Sequence, residues 1–101
     1  MEIVINGIKF PIVFVDDIPS ESEDELTLGI CEYTDPVIKI RKGLDDVIKN
    51  RVIIHEITHA MIFAYALDIY SEEHLCNFME AHFFELRNLI QKVENNDGTI
   101  Y

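Results

Sequence analysis

Apolar and polar positions follow two different rhythms along this chain. In the first forty residues the apolar side chains alternate with polar ones; beyond about residue 45 they recur every three or four. Alternation marks a strand with one buried face, and the longer period marks a helix. Two β-branched runs, Glu2–Ile5 and Ile8–Val15, flank Asn6-Gly7, a strong hairpin signal. Ile8, Phe10, Ile12 and Phe14 alternate and give the second run one buried face. Pro11 lies inside it and lacks an N–H, which predicts an edge position or a bulge. The acidic stretch from Asp16 to Glu25, with Pro19, Ser20 and Ser22, reads as an exposed loop. A third strand is expected at Leu26–Tyr33. After the turn Thr34-Asp35-Pro36, a fourth is expected at Val37–Arg41, with Ile38 and Ile40 inward and Lys39 and Arg41 toward solvent.

Lys42-Gly43 ends the alternation. A helix is predicted from Asp45 or Asp46, either of which can cap it, to about Leu67. Its second half is apolar on every side, the pattern of a central, buried helix. Ser71 is a suitable N-cap for a second helix, with Glu72 and Glu73 in its first turn. Leu75, Met79, His82, Leu86, Leu89 and Val93 follow a 4-3-4-3-4 spacing, and the Leu75, Met79 and Leu86 stripe is expected in the core. The tail from Asn95 to Tyr101 reads as frayed. The fold class expected is α+β: a small antiparallel or mixed sheet of three to four strands, packed on the two helices. Residues 1–101 form one domain in this reading.

Composition narrows the partners. The chain carries 8 basic and 19 acidic residues, a net charge of -11. That argues against nucleic acid and against an anionic membrane surface. The start of the chain lacks the basic and apolar regions of a signal peptide. The longest apolar run, Val52 to Leu67, is too short and too polar for a membrane span. Cys31 and Cys76 have no metal-type spacing, so two free thiols and a cytoplasmic location are expected, with Cys76 as core packing.

The chemistry centres on His55-Glu56-Ile57-Thr58-His59, an H-E-x-x-H motif. On a helix, residues four apart stand one turn apart on one face, so the two imidazoles can grip one zinc ion. Glu56, beside the first of them, can act as general base on a metal-bound water. A catalytic zinc usually takes a third protein ligand. A metzincin would need glycine and histidine where Ile62 and Tyr65 stand, which excludes that class. Glu73, in the first turn of the second helix, is the leading third ligand and Glu80 the alternative. His74, His82 and Asp68 are weaker. Asn77, one turn beyond Glu73, is a candidate acceptor for the other N–H of a ligating histidine.

Glu73-His74-Leu75-Cys76-Asn77 resembles the E-x-x-x-D/N element that follows H-E-x-x-H in gluzincin metallopeptidases. It is also similar to the E-x-x-A-N/D-x-F-A element of the ImmA/IrrE family, with Cys76 in the small-residue place and Met79 in the Phe place. The motif together with Ser71-Glu72-Glu73 and Cys76-Asn77-Phe78 looks most like small phage and prophage proteins of this type. The resemblance implies a minimal zincin domain holding one zinc ion on His55, His59 and Glu73, with Glu56 as general base. It also implies a protein or peptide substrate, paired as an added strand on the fourth strand as an edge. Two departures stand out. Asn77 replaces the Asp of larger gluzincins, and no residue is an evident oxyanion donor, with Tyr65, Tyr70 and His82 as the candidates. The alternative function is a non-catalytic, metal-stabilised phage or prophage protein that binds a host or phage partner. A degenerate copy that binds no metal is a third reading.

Overall fold

A computed structural model of the protein describes residues 1–19 and 26–97. Strands β1 (Glu2–Ile5), β2 (Ile8–Val15), β3 (Gly29–Glu32) and β4 (Val37–Arg41) precede helices α1 (Asp46–Ala64) and α2 (Glu72–Asp97). The architecture is α+β, with a four-stranded mixed sheet and two helices.

The β1–β2 hairpin forms because Asn6 and Gly7 both accept positive φ, 48° and 78°. The Asn6 side chain also donates to the carbonyl of Ala64, 2.9 Å away, tying the hairpin to the end of α1. Pro11 sits where β2 changes partner. It pairs with Glu2 of β1, while the parallel ladder with β4 begins at Ile12 opposite Ile38. The Ile12 N–H donates to Met1, so the nitrogen of Pro11 faces the other way, before the β4 ladder starts, and no ladder bond is lost.

The strand order is β1-β2-β4-β3. This corrects the expectation for the fourth strand: β4 is interior, parallel to β2 and antiparallel to β3, and the edge beside α1 is β3. Ile38 and Ile40 are buried as expected, with Phe10. Phe14 is not; it is 45% exposed at the far end of β2. Arg41 also departs from its expected place in solvent. Its guanidinium donates to the carbonyls of Thr27, Asp16 and Ile18 and to the carboxylate of Asp17, stitching the ends of the β2–β3 connection. Residues 20–25, the centre of the predicted acidic loop, lie outside the described residues.

Asp45 caps α1, accepting from the Ile48 N–H at 3.0 Å. The helix stops at Ala64, short of the expected Leu67, where Tyr65 caps it and Ala66 takes φ 50°. Val52, Glu56, Ala60 and Ala64, four apart, form the buried stripe of α1. The small side chains of Ala60 and Ala64 allow close approach to the sheet. The opposite side of α1 is less buried than its composition predicts, since Met61 and Phe63 stay exposed. α2 packs on α1 through its first two turns. From Ala81 to Asn95 every α2 side chain is exposed. Leu75 and Met79 are therefore half-buried, but Leu86, Leu89 and Val93, expected to continue the apolar stripe, lie in solvent. No described helix is long and apolar enough to cross a membrane.

Candidate metal centre

The site lies where α1 meets the start of α2. One turn separates His55 from His59, and both imidazoles face α2. Glu72, Glu73, Cys76 and Glu80 recur at three- and four-residue steps, so α2 returns one face of acids and sulfur to them.

Each nitrogen of both imidazoles has a carboxylate partner. His55 Nε2 lies 2.8 Å from Glu73 Oε1, and His59 Nε2 lies 3.2 Å from Glu73 Oε2. His55 Nδ1 lies 3.0 Å from Glu80 and His59 Nδ1 2.5 Å from Glu72. A carboxylate only accepts, so in the neutral tautomer that keeps its proton on Nδ1 each imidazole donates to Glu80 or Glu72. Both Nε2 lone pairs then point at the oxygens of Glu73. Lone pair facing lone pair is repulsive unless a proton or a cation stands between them. Four carboxylates, those of Glu56, Glu72, Glu73 and Glu80, gather around these two imidazoles, with Arg51 lining the hollow beside Glu56 and Glu80, an excess of acid that favours a cation. The donor set fits a divalent metal on chemical grounds.

Cys76 belongs to the same place. The ligand atoms of His55, His59 and Cys76 all lie within 4.8 Å of one another, a group that could hold a metal ion. Its side chain is fully buried, and burial pushes the thiol up to about 12. It stays a thiol until a cation replaces its proton. Packing alone, the role expected from the sequence, leaves out this proximity.

Glu56 turns the other way, toward β3. It is buried, at 6% exposure. Burial raises its carboxyl above the ordinary range; His55 and His59 pull it down, and Glu73 and Glu80 add to the rise. The result is a carboxylate more basic than a solvated one. Gly29 of β3 makes room for it: a Cβ there would stand 2.6 Å from Val52 Cγ1 and 3.1 Å from Glu56 Cγ. Two hollows adjoin at Gly29, His55 and Glu56. One, of 370 Å³, extends toward Leu28 and Arg51; the other, of 280 Å³, extends toward Cys31, Tyr33 and Glu73. Together they form a cleft along β3.

Several sequence-derived expectations change here. Asn77 is exposed and bonds neither imidazole among the described hydrogen bonds; Glu80 and Glu72 hold the Nδ1 positions. Glu80, weighed as an alternative ligand, faces Nδ1 of His55 while Glu73 faces both Nε2 atoms. His74 and Asp68 are exposed, and His82 stands by Glu85 at 3.8 Å. Tyr65 is 51% exposed, Tyr70 fully so, and neither lines the cleft. Tyr33, which the sequence did not single out, does line it; burial raises its phenol, and its ring stacks on Phe63 at 4.6 Å. The two residues passed over, Glu72 and Cys76, had a signal: with Glu80 they are spaced by four, one turn each. Comparison with protein-family models, with curated proteins and with solved structures gave no match to this chain.

Proposed function

We propose that the protein is a zinc-dependent hydrolase of peptide bonds, with one zinc ion held by His55, His59 and Glu73. The convergence of both Nε2 atoms on the Glu73 carboxylate carries this reading. When bound, zinc supplies a Lewis acid and lowers the pKa of water. Glu80 and Glu72 orient the imidazoles and keep their protons on Nδ1. Glu56, raised by burial, takes a proton from the attacking water and passes it to the leaving amine. The free edge of β3 runs along the cleft and offers backbone groups to an extended peptide by strand addition. Tyr33, keeping its proton, is the hydroxyl donor nearest that path. The acid-rich surroundings of the site suit a substrate with basic side chains.

Metal content of protein purified without added metal tests the ligand set. The expected result is one zinc per chain in wild type, lost in Glu73→Ala and retained in Cys76→Ser. Loss in Cys76→Ser with retention in Glu73→Ala reassigns the third ligand to sulfur. In Glu56→Gln, zinc should remain while peptide hydrolysis falls by about 10²–10⁴-fold, the range of general base catalysis. Hydrolysis at the wild-type rate in that variant sinks the mechanism.

A second reading is a metal-stabilised binding protein without catalysis. The apolar side chains exposed on the outer half of α2 motivate it, as a surface that a partner can cover. In that case Glu56→Gln leaves partner binding untouched.

A further inference from the structure

The outer half of α2 is the largest feature with no role at the metal centre. Phe83, Leu86, Leu89, Ile90 and Val93 are 37–55% exposed, and Phe78 is 60% exposed. Placed on a seven-residue repeat, Met79, Leu86 and Val93 fall at the first position and His82 and Leu89 at the fourth. These positions form the seam of a helix pair. One flank of the seam carries Phe83 and Ile90; the other carries Glu85 and Lys92.

We propose that α2 pairs with α2 of a second copy of this chain, antiparallel, with the twofold axis between Leu86 and Leu89. In this register Leu86 meets Leu89 of the second copy, and His82 meets Val93. On one flank Phe83 meets Ile90. On the other, Glu85 meets Lys92, and the symmetry gives that ion pair twice. The charge pattern is thus self-complementary in one orientation. A parallel pair would set Glu85 beside Ile90 and stack His82 on His82, gaining neither ion pair. The hollow bounded by His82, Glu85, Leu86 and Leu89 belongs to a 320 Å³ groove, large enough to take Leu89 of the second copy as a knob. The overlap runs from Met79 to the end of α2, matching the stretch from Ala81 to Asn95 that the rest of the chain leaves exposed. The two sheet-bearing bodies then sit at opposite ends of the helix pair.

A seam this short lies near the lower limit for a specific interface, about 1,000 Å² in all. The dimer is therefore reversible and depends on concentration. It stands independently of the metal centre and of the hydrolytic reading.

Sedimentation velocity of the full chain over a concentration series tests it. Wild type should move from 11.7 kDa at low concentration toward twice that mass. Leu86→Glu should remain monomeric. Glu85→Lys and Lys92→Glu, which each set like charges opposite one another, should weaken the dimer roughly tenfold. The double variant Glu85→Lys/Lys92→Glu should restore it. All three positions are exposed, so unchanged circular dichroism at low concentration shows that the fold is intact. A wild type that stays at 11.7 kDa throughout overturns the proposal. So does a dimer that survives Leu86→Glu, or one that the double variant fails to restore.

Discussion

Glu56 shows how one side chain ties stability to chemistry. It is a buried acid beside four other titrating groups, and burial is the main cause of its raised pKa. The unfolded chain releases that proton near 4.5, while the folded, metal-free protein holds it to higher pH. The native state therefore binds the extra proton, and stability falls as pH rises from the unfolded value through the folded one. Glu56→Gln removes this titration. Metal-free Glu56→Gln and wild type should unfold alike at acid pH, and the variant should become the more stable as pH rises. Denaturant melts of the chelated proteins across that window measure it; parallel curves at every pH would contradict the burial account. The same carboxylate that weakens the empty fold is the one proposed to move protons at the loaded site. His55 and His59 were legible from their spacing alone, because one helical turn is a local quantity. Which nitrogen each acid meets was not, because Glu72 and Glu80 reach the imidazoles from another helix.

β3 and α1 approach each other closely at Gly29, and that contact sets the depth of the cleft. An added Cβ would press on Val52 and on Glu56 at once. Gly29→Ala should therefore cost about 1–3 kcal/mol of stability, as overpacking does, and should displace Glu56. Urea unfolding measures the first. A sharper fall in kcat than in zinc content would show the second; unaltered stability would mean that β3 gives way freely. Three strands match their sequence-derived bounds because alternation and the Asn6-Gly7 turn are local signals. Strand order is not local. Nothing in Val37–Arg41 says that it pairs with β2 and β3 on its two sides, which moves the edge to β3. α1 ends early at Tyr65, though apolar residues continue to Leu67, because Ala66 turns to positive φ.

The whole molecule has principal extents of 49 × 30 × 30 Å, and the long α2 is the natural source of the elongation. Its core is small: Phe10, Ile38, Ile40, Val52, Ala60 and Ala64 make up the buried cluster. A chain of this size gains substantially from a bound ion. Zinc at a hundredfold above its Kd should add about 2.7 kcal/mol and raise Tm by roughly 10–20 °C. Thermal melts with zinc and with chelator measure it, and Glu73→Ala should abolish the shift. A wild-type Tm indifferent to both zinc and chelator would speak for the degenerate reading, a copy that binds no metal.

Periodicity, turn residues and the H-E-x-x-H spacing are written within a few residues of one another. They sufficed for the bounds of three strands, for the existence of a shorter third one at Gly29–Glu32 where Leu26–Tyr33 was expected, for the two helices and for the pair of imidazoles on one face. Contacts between distant segments required the folded chain. The interior place of β4, the clasp of Arg41, the carboxylate at each imidazole nitrogen and the nearness of Cys76 to both histidines are of this kind. So is the exposure of Leu86, Leu89 and Val93. An amphipathic stripe encodes the need for an apolar partner, whereas the path of the rest of the chain decides whether that partner is supplied from within.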